Sequence, residues 1–227
     1  GYPITATTVP SGSIQYSNAT QGALLFPAPG AGLNYYLAKA DMSANCPSAM
    51  YLIDRLVSIG GFVGNNTTLQ SNSTPALTRF TSGAGVMMML EQYGTTSLGG
   101  TASTLTASYT NQNGVAGQQA VVPSQTWGIT GEIQRAVVLP LAAGDTGVQS
   151  VQSVQWGTAT GGSGTFCITL FKLLRAIPAG NKRQMQDVFN TNLTPINAAA
   201  CLALLGVTAG SSVPKLQVSG SLTLIQA

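Results

Sequence analysis

The sequence predicts a mainly β fold with one principal helix and an extended N-terminal arm. Three observations carry that reading. From residue 86 onward most periodic segments alternate with period 2 rather than 3.6, glycine or asparagine turns separate them, and before that only the stretch following Pro47 repeats at helical spacing. The chain has 227 residues, enough for a substantial core, and all-β architectures often reach about 200–250 residues as one domain. The expected division is an arm over residues 1–40 and a single domain over 41–227.

Residues 1–40 are rich in Gly, Pro, Ser and Thr, with short apolar patches at Ala23–Phe26 and Tyr35–Ala38. That composition suits an extended arm or irregular strands that neighbours hold in place. The principal helix is expected over 47–59: Pro47 stands near its start, Ala49, Leu52, Ile53, Leu56 and Val57 share a face, and Gly60-Gly61 stops it. Asp54 and Arg55 then fall on its polar side.

After the loop GNNTTLQSNSTP the expected strands are Val86–Tyr93, Ser103–Tyr109, Gln118–Val122, Ile133–Pro140, Val148–Trp156 and Thr165–Arg175, with a hairpin turn at Asn113-Gly114. In the second of these, Leu105, Ala107 and Tyr109 alternate with Thr104, Thr106 and Ser108, as one buried face requires. Val86-Met87-Met88-Met89-Leu90 is apolar throughout, so both faces are covered or one meets a partner. VQSVQSVQ (148–155) repeats every three residues, matching neither a strand face nor a helix face. It reads as a strand covered on both sides, its glutamines bonding neighbouring chains. Gly161-Gly162-Ser163-Gly164 lacks the Lys-Ser/Thr of a phosphate loop and reads as a hairpin loop between its flanking strands. Two short helices are expected at Met185–Phe189 and over 195–205, and a closing strand at Leu216–Ile225, bulged or closely approached at Gly220.

Composition limits the chemistry. Charged residues are 7% of the chain, histidine is absent, and the only carboxylate side chains are Asp41, Asp54, Glu91, Glu132, Asp145 and Asp187. Ordinary domains carry roughly a quarter charged residues. Ser-His and Cys-His nucleophilic catalysis is excluded, a Ser-Lys arrangement is a remote alternative, and no carboxylates are spaced locally as an acid–base pair. No catalytic, cofactor-binding or metal-binding residues are assigned. Cys46, Cys167 and Cys201 lack CxxC spacing and read as buried thiols, with one disulfide and a leftover thiol as the alternative. Among nine scattered basic residues only Lys182 and Arg183 adjoin, which gives no footprint for nucleic acid or a membrane surface. No apolar run reaches the ~20 residues of a membrane span, and GYPITATTVPSG lacks a signal-peptide pattern. Trp127, Trp156 and Tyr35-Tyr36 read as core rings, with a sugar-stacking platform as the alternative.

From about Thr78 to Ile177 the segments TRFTSGAGVMMMLEQYG, LTASYTNQNGVAGQQA and VVLPLAAGDTGVQSVQSVQWGTATGGSGTFCITLFKLL resemble a recurring set in virion structural proteins of tailed bacteriophages. The resemblance spans roughly 100 residues and is most specific in LAAGDTGVQSVQ. It implies a head-associated, decoration- or cement-like protein, built as a jelly-roll-like β-sandwich on the capsid surface, and it transfers no active site. The expected function is a non-enzymatic virion component, without cofactor, that coats or cements a capsid lattice. Its expected partners are the major capsid protein or neighbouring virion subunits and further copies of itself, most plausibly as a trimer. The alternative is a carbohydrate- or receptor-binding module of a fibre or spike.

Overall fold

Backbone pairing dominates the computed structural model, which describes residues 12–45, 48–93, 96–127, 136–179, 184–187, 193–208 and 218–227; among these there are strands and no helix. In chain order the strands are β1 (Ser13–Gln15), β2 (Tyr35–Ala44), β3 (Ser48–Val63), β4 (Gln70–Ser71), β5 (Val86–Tyr93), β6 (Ser103–Asn111), β7 (Gln118–Gln125), β8 (Ala136–Leu139), β9 (Val148–Trp156), β10 (Thr165–Ala179), β11 (Gln184–Asp187), β12 (Thr194–Ile196), β13 (Cys201–Thr208) and β14 (Val218–Gln226). The chain divides into two compact units, one of Ser17–Asp54 with Leu173–Ala227, the other of Arg55–Lys172 with the residues up to Tyr16. The expected division at residue 40 is not a boundary of either unit, since it falls inside β2.

In the unit built around Arg55–Lys172, two sheets supply one core. One has the order β1-β3-β10-β5-β8, and the other the order β4-β9-β6-β7. Alternate residues face the same apolar cluster: Val86, Met88 and Leu90 of β5, Phe166, Ile168 and Leu170 of β10, Leu105, Ala107 and Tyr109 of β6, and Trp156 of β9. β6 is buried at every second position, as its alternation predicts. β5 lies between β10 and β8, and only Met87 of its apolar run is less than fully buried, so the chain itself covers both faces.

The triplet repeat in β9 is explained by its pairing with β6. Tyr109 pairs with Val151 where Ser108 pairs with Ser153, and Asn111 pairs with Val148 where Thr110 pairs with Ser150. Gln152 and Gln149 are thus one extra residue each, and every extra residue turns the strand over once more. Val148, Val151 and Val154 consequently all enter the core at a spacing of three. The bulged glutamines bond within the chain: Gln149 Nε2 donates to the carbonyls of Ser82 and Gln112, and Gln152 Nε2 to Thr110 Oγ1 and Ser150 Oγ.

The principal helix is overturned: its residues from Ser48 onward form β3, which runs through Gly60-Gly61 to Val63. Leu52 to Gly60 are buried without a break, and in a strand covered on both faces the apolar spacing carries no phase, so a helical repeat can arise by coincidence. Ile53, Val57 and Ile59 add β-branched stiffness suited to a strand. The two later helices are overturned as well. Residues 184–187 form β11 against β2, with Val188 and Phe189 outside the described residues, and the Ala- and Leu-rich stretch divides into β12, a turn closed by Ala200 N–H on the Asn197 carbonyl, and β13. Buried strand pairing there overrides the helix propensity of alanine.

The glycine-rich loop is not a hairpin, because β9 and β10 lie in different sheets. Its backbone runs against residues 97–101, with the Gly164 N–H on the Ser97 carbonyl, and a Cβ at Gly162 or Gly164 would lie 2.5 Å from Ser97 backbone. In the second unit β2 is central, flanked by β14 on one side and by β11 and β12 on the other. Leu37, Ala40, Met42, Leu52, Ile177 and Leu202 gather in its core. Gly220 is closely approached as expected, since a Cβ there would lie 2.1 Å from the Asp41 carbonyl, while the register shift falls at Thr223/Leu224.

The triplet geometry separates the costs of neighbouring substitutions. Val151→Ser opens a cavity and buries a hydroxyl, and should lower urea-unfolding stability by about 2–4 kcal/mol, whereas Gln152→Ser at the adjacent bulge should change it by under about 1 kcal/mol.

Candidate functional site

Charge is scarce in this sequence, and among the described residues the fold places it at buried or partly covered positions. Asp41, Asp54, Arg55, Arg79 and Glu91 are buried, while Lys39, Asp145, Lys172 and Arg175 are partly covered; none of the described charged side chains is fully exposed. The densest polar cluster belongs to the unit of Arg55–Lys172. Arg55 on β3 grips Glu91 on β5 with two parallel hydrogen bonds, Nη1 to Oε1 and Nη2 to Oε2, both 2.6 Å. A guanidinium is the one basic group whose fork matches a carboxylate in this way.

Tyr16, following β1, lies against the pair. Its hydroxyl accepts from Arg55 Nη2 at 3.3 Å, and Arg55 Cζ sits 4.9 Å from the ring centroid. Since the Glu91 carboxylate only accepts, the direction of the remaining bonds is fixed. Thr169 donates to Glu91 Oε2, Ser58 donates to Thr169, and Tyr16 donates to Ser58 at 2.9 Å. Arg79 closes the cluster from the other side, Nη1 donating to the Tyr16 carbonyl and Nη2 to the Arg55 carbonyl, each at 2.9 Å. Burial pushes the Tyr16 phenol above its ordinary range, with the Arg55 charge opposing the shift. The cluster is sealed from solvent, so its groups lock β1, β3, β5 and β10 together rather than meet a substrate.

A second knot ties the loop after β8 to the end of β6. Within LAAGDTG, Asp145 accepts from Tyr109 Oη at 2.6 Å and from Asn111 Nδ2 at 2.7 Å, and Tyr109 Oη accepts from the Ala142 N–H. Gln112 Oε1 accepts from the N–H groups of Thr146 and Gly147, which ties that loop to the β6–β7 turn. Burial first, and the bond to Asp145 second, push the Tyr109 phenol up to about 12.

The other residues weighed from sequence have structural positions. Asp54 accepts from the Cys201 N–H, and Lys172 donates to the Ala84 carbonyl and lies over the Phe80 ring. Cys167 and Cys201 are buried thiols; Cys46 and Glu132 lie outside the described residues, as does the side chain of Asp187. Among the described residues no group of three or more His, Cys, Asp and Glu is placed to hold a metal. Trp127 and Trp156 meet edge to face at 4.9 Å inside the core, each donating its indole N–H to a backbone carbonyl, and no described aromatic side chain is exposed.

One sheet turns an uncharged face outward. None of β4, β6, β7 and β9 contains a charged residue. Opposite the core, β6 presents Thr104, Thr106, Ser108 and Thr110 at half-buried positions, while β7 exposes Gln119 and Val121. Val115, in the turn before β7, is exposed too, and β7 is an edge strand with Pro123 at the register shift in its pairing with β6. This hydroxyl- and amide-covered face with its apolar edge is the candidate functional surface. Comparison with protein families, curated proteins and solved structures gave no match.

Sequence reasoning missed the Arg55–Glu91–Tyr16 cluster because its members lie far apart in the chain. A signal was present: in so uncharged a sequence, an Arg within LIDRLVSI and a Glu directly after VMMML stand in apolar surroundings, and each demands a partner somewhere.

Two measurements follow from these clusters. Glu91→Gln leaves a buried guanidinium without its counter-ion and should cost about 3–5 kcal/mol in equilibrium unfolding, whereas Arg55→Met combined with Glu91→Leu should cost less than the single change. In the folded chain Tyr109 keeps its proton to about pH 12, while an unfolded tyrosine loses it near pH 10. Between those values the unfolded state binds fewer protons, so stability falls as pH rises. Tyr109→Phe should flatten that decline in unfolding free energy measured from pH 9.5 upward, whatever its effect at neutral pH.

Proposed function

We propose that this chain is a non-enzymatic virion structural protein that coats or cements a bacteriophage capsid lattice through protein–protein contacts. The observation that carries the reading is the distribution of charge: no described charged side chain is fully exposed, and a four-stranded sheet turns a hydroxyl- and amide-covered face outward. A soluble enzyme or a freely circulating monomer ordinarily relies on surface charge for colloidal stability. A subunit repeated on a lattice has neighbours to cover such a face.

The fold reading belongs to the same proposal. Two sheets that feed one apolar cluster are the layer arrangement of a β-sandwich, and the resemblance to head-associated phage proteins points to the jelly-roll-like variety on a capsid surface. The partners are then the major capsid protein or adjacent virion subunits, and the assembled form is a homo-oligomer, with a trimer as the working case. Association draws on apolar burial and neutral hydrogen bonds, since exposed ion pairs contribute little even where they exist.

The test is co-sedimentation of the purified chain with particles of the phage that encodes it, together with its copy number by mass spectrometry. We expect one copy per shell subunit or a fixed fraction of that. Binding should be nearly unchanged from low salt to ~1 M, where the Debye length shrinks to about 3 Å. A chain that stays monomeric and never sediments with particles overturns the function; a steep loss of binding with salt overturns its mechanism.

A further inference from the structure

The unit of Arg55–Lys172 is almost one continuous stretch of chain, and the exception is the short piece ending at Tyr16. Residues 17–54, which separate that piece from the rest of its unit, belong to the other unit. β1 pairs with β3 over three residues, Ser13 with Ile59, Ile14 with Ser58 and Gln15 with Val57, and occupies the edge of its sheet. Ser13 and Gln15 are exposed, Ile14 is half-buried, and Tyr16 alone is fully inside.

The socket that receives Tyr16 is complete without any covalent link to it. Arg55 Nη2 and Ser58 Oγ meet the phenol, the Arg55 guanidinium covers the ring, Arg79 Nη1 meets the Tyr16 carbonyl, and the Leu56 carbonyl accepts its N–H. Every one of those groups comes from residues 55–79, and Arg55 and Arg79 are held in place by Glu91 and by each other's surroundings whichever chain supplies the tyrosine.

We propose that residues 12–16 are an exchangeable strand, and that a second copy of this chain fills the socket on β3 with its own Tyr16. The inference deepens the lattice-subunit reading and rests on it in one respect: it names the contact through which neighbouring copies engage. A second copy is the fitting occupant because the socket reads a tyrosine side chain and its backbone in the register of this segment, and each copy carries both the socket and the strand that fits it. In isolation the covalently joined strand has the higher local concentration and the chain closes on itself; crowding of copies, in concentrated solution or on a particle, raises the competing concentration.

The experiment uses full-length chains in a Cys46→Ser background. Gln15 and Thr78 are exposed, and their side chains meet at 3.3 Å. One chain carries Gln15→Cys, a second carries Thr78→Cys, and the two are mixed at rising concentration and treated with a short bismaleimide. Exchange gives a covalent heterodimer whose yield rises with concentration and falls when a peptide of residues 12–17 is added in excess. Adding Tyr16→Phe to the Gln15→Cys chain keeps the ring and removes its hydroxyl bonds, and should lower the yield roughly tenfold. A Gln15→Cys, Thr78→Cys double variant that cross-links only within itself, while the mixed single variants give no dimer at any concentration or on particles, overturns the proposal. Particle attachment is scored separately. Attachment without exchange sinks this inference and spares the lattice reading, and exchange without attachment does the reverse.

Discussion

Two opposite charges closed against each other inside a sheet constrain the rest of this molecule. An Arg–Glu pair removed from water is tolerated only when its geometry is close to ideal and the leftover donors and acceptors are occupied. Arg55 and Glu91 meet the first condition with their paired 2.6 Å bonds, and Tyr16, Ser58 and Thr169 meet the second. Those five residues sit on or beside four strands, so satisfying the charges also fixes how β1, β3, β10 and β5 line up. A one-residue slip of β5 would carry Glu91 to the opposite side of the sheet and leave the guanidinium alone. The polar cluster therefore works as a register lock for strands whose apolar residues, covered on both faces, would accept several alignments equally well.

That ambiguity decides what could be read from sequence. Two signals were legible: Ser103–Asn111 alternates as its burial does, and Val86–Tyr93 and Val148–Trp156 begin and end where their composition changes. The turn at Asn113-Gly114 was legible as well: Gly114, with a positive φ of 78°, ends a three-residue hairpin loop closed by the Asn111 N–H on the Val115 carbonyl. The segment 48–63 was not, because a strand buried on all sides has no period to display and leaves the reader with propensity alone. Triplet spacing in VQSVQSVQ was noticed but could not be interpreted, since a bulge exists only relative to the partner strand, and that partner lies about forty residues earlier in the chain.

The candidate surface was legible in composition before it was visible in space. Few charges, and many Ser, Thr, Asn, Gln and Gly, already implied a surface poor in ions; the fold adds that the described charged side chains are buried or partly covered and that one sheet carries no charge at all. The interior partners could not be foreseen. Arg55 and Glu91 are 36 residues apart, and Tyr109 and Asp145 likewise, and no local pattern says which distant acid a buried base will find. What sequence does supply is the demand itself, because an ionisable residue within an apolar run has to be matched somewhere.

An outward face of hydroxyls and amides also sets the manner of association on the lattice reading. Bonds from such groups are short-ranged and directional, and each contributes only about 1 kcal/mol net. Such a face cannot draw a partner from a distance as a charged patch does, and no single contact on it is strong enough to hold one. Its selectivity has to come from many small matches made together, which is what repetition on a symmetric surface supplies: every copy presents the same pattern, and neighbouring contacts add through effective concentration. On that reading the same logic gives a use for the burial of Arg55 and Glu91. Buried, Arg55 and Glu91 specify one register for the subunit; on the surface they would lend long-range attraction to any oppositely charged partner and blur the selectivity that a neutral face preserves.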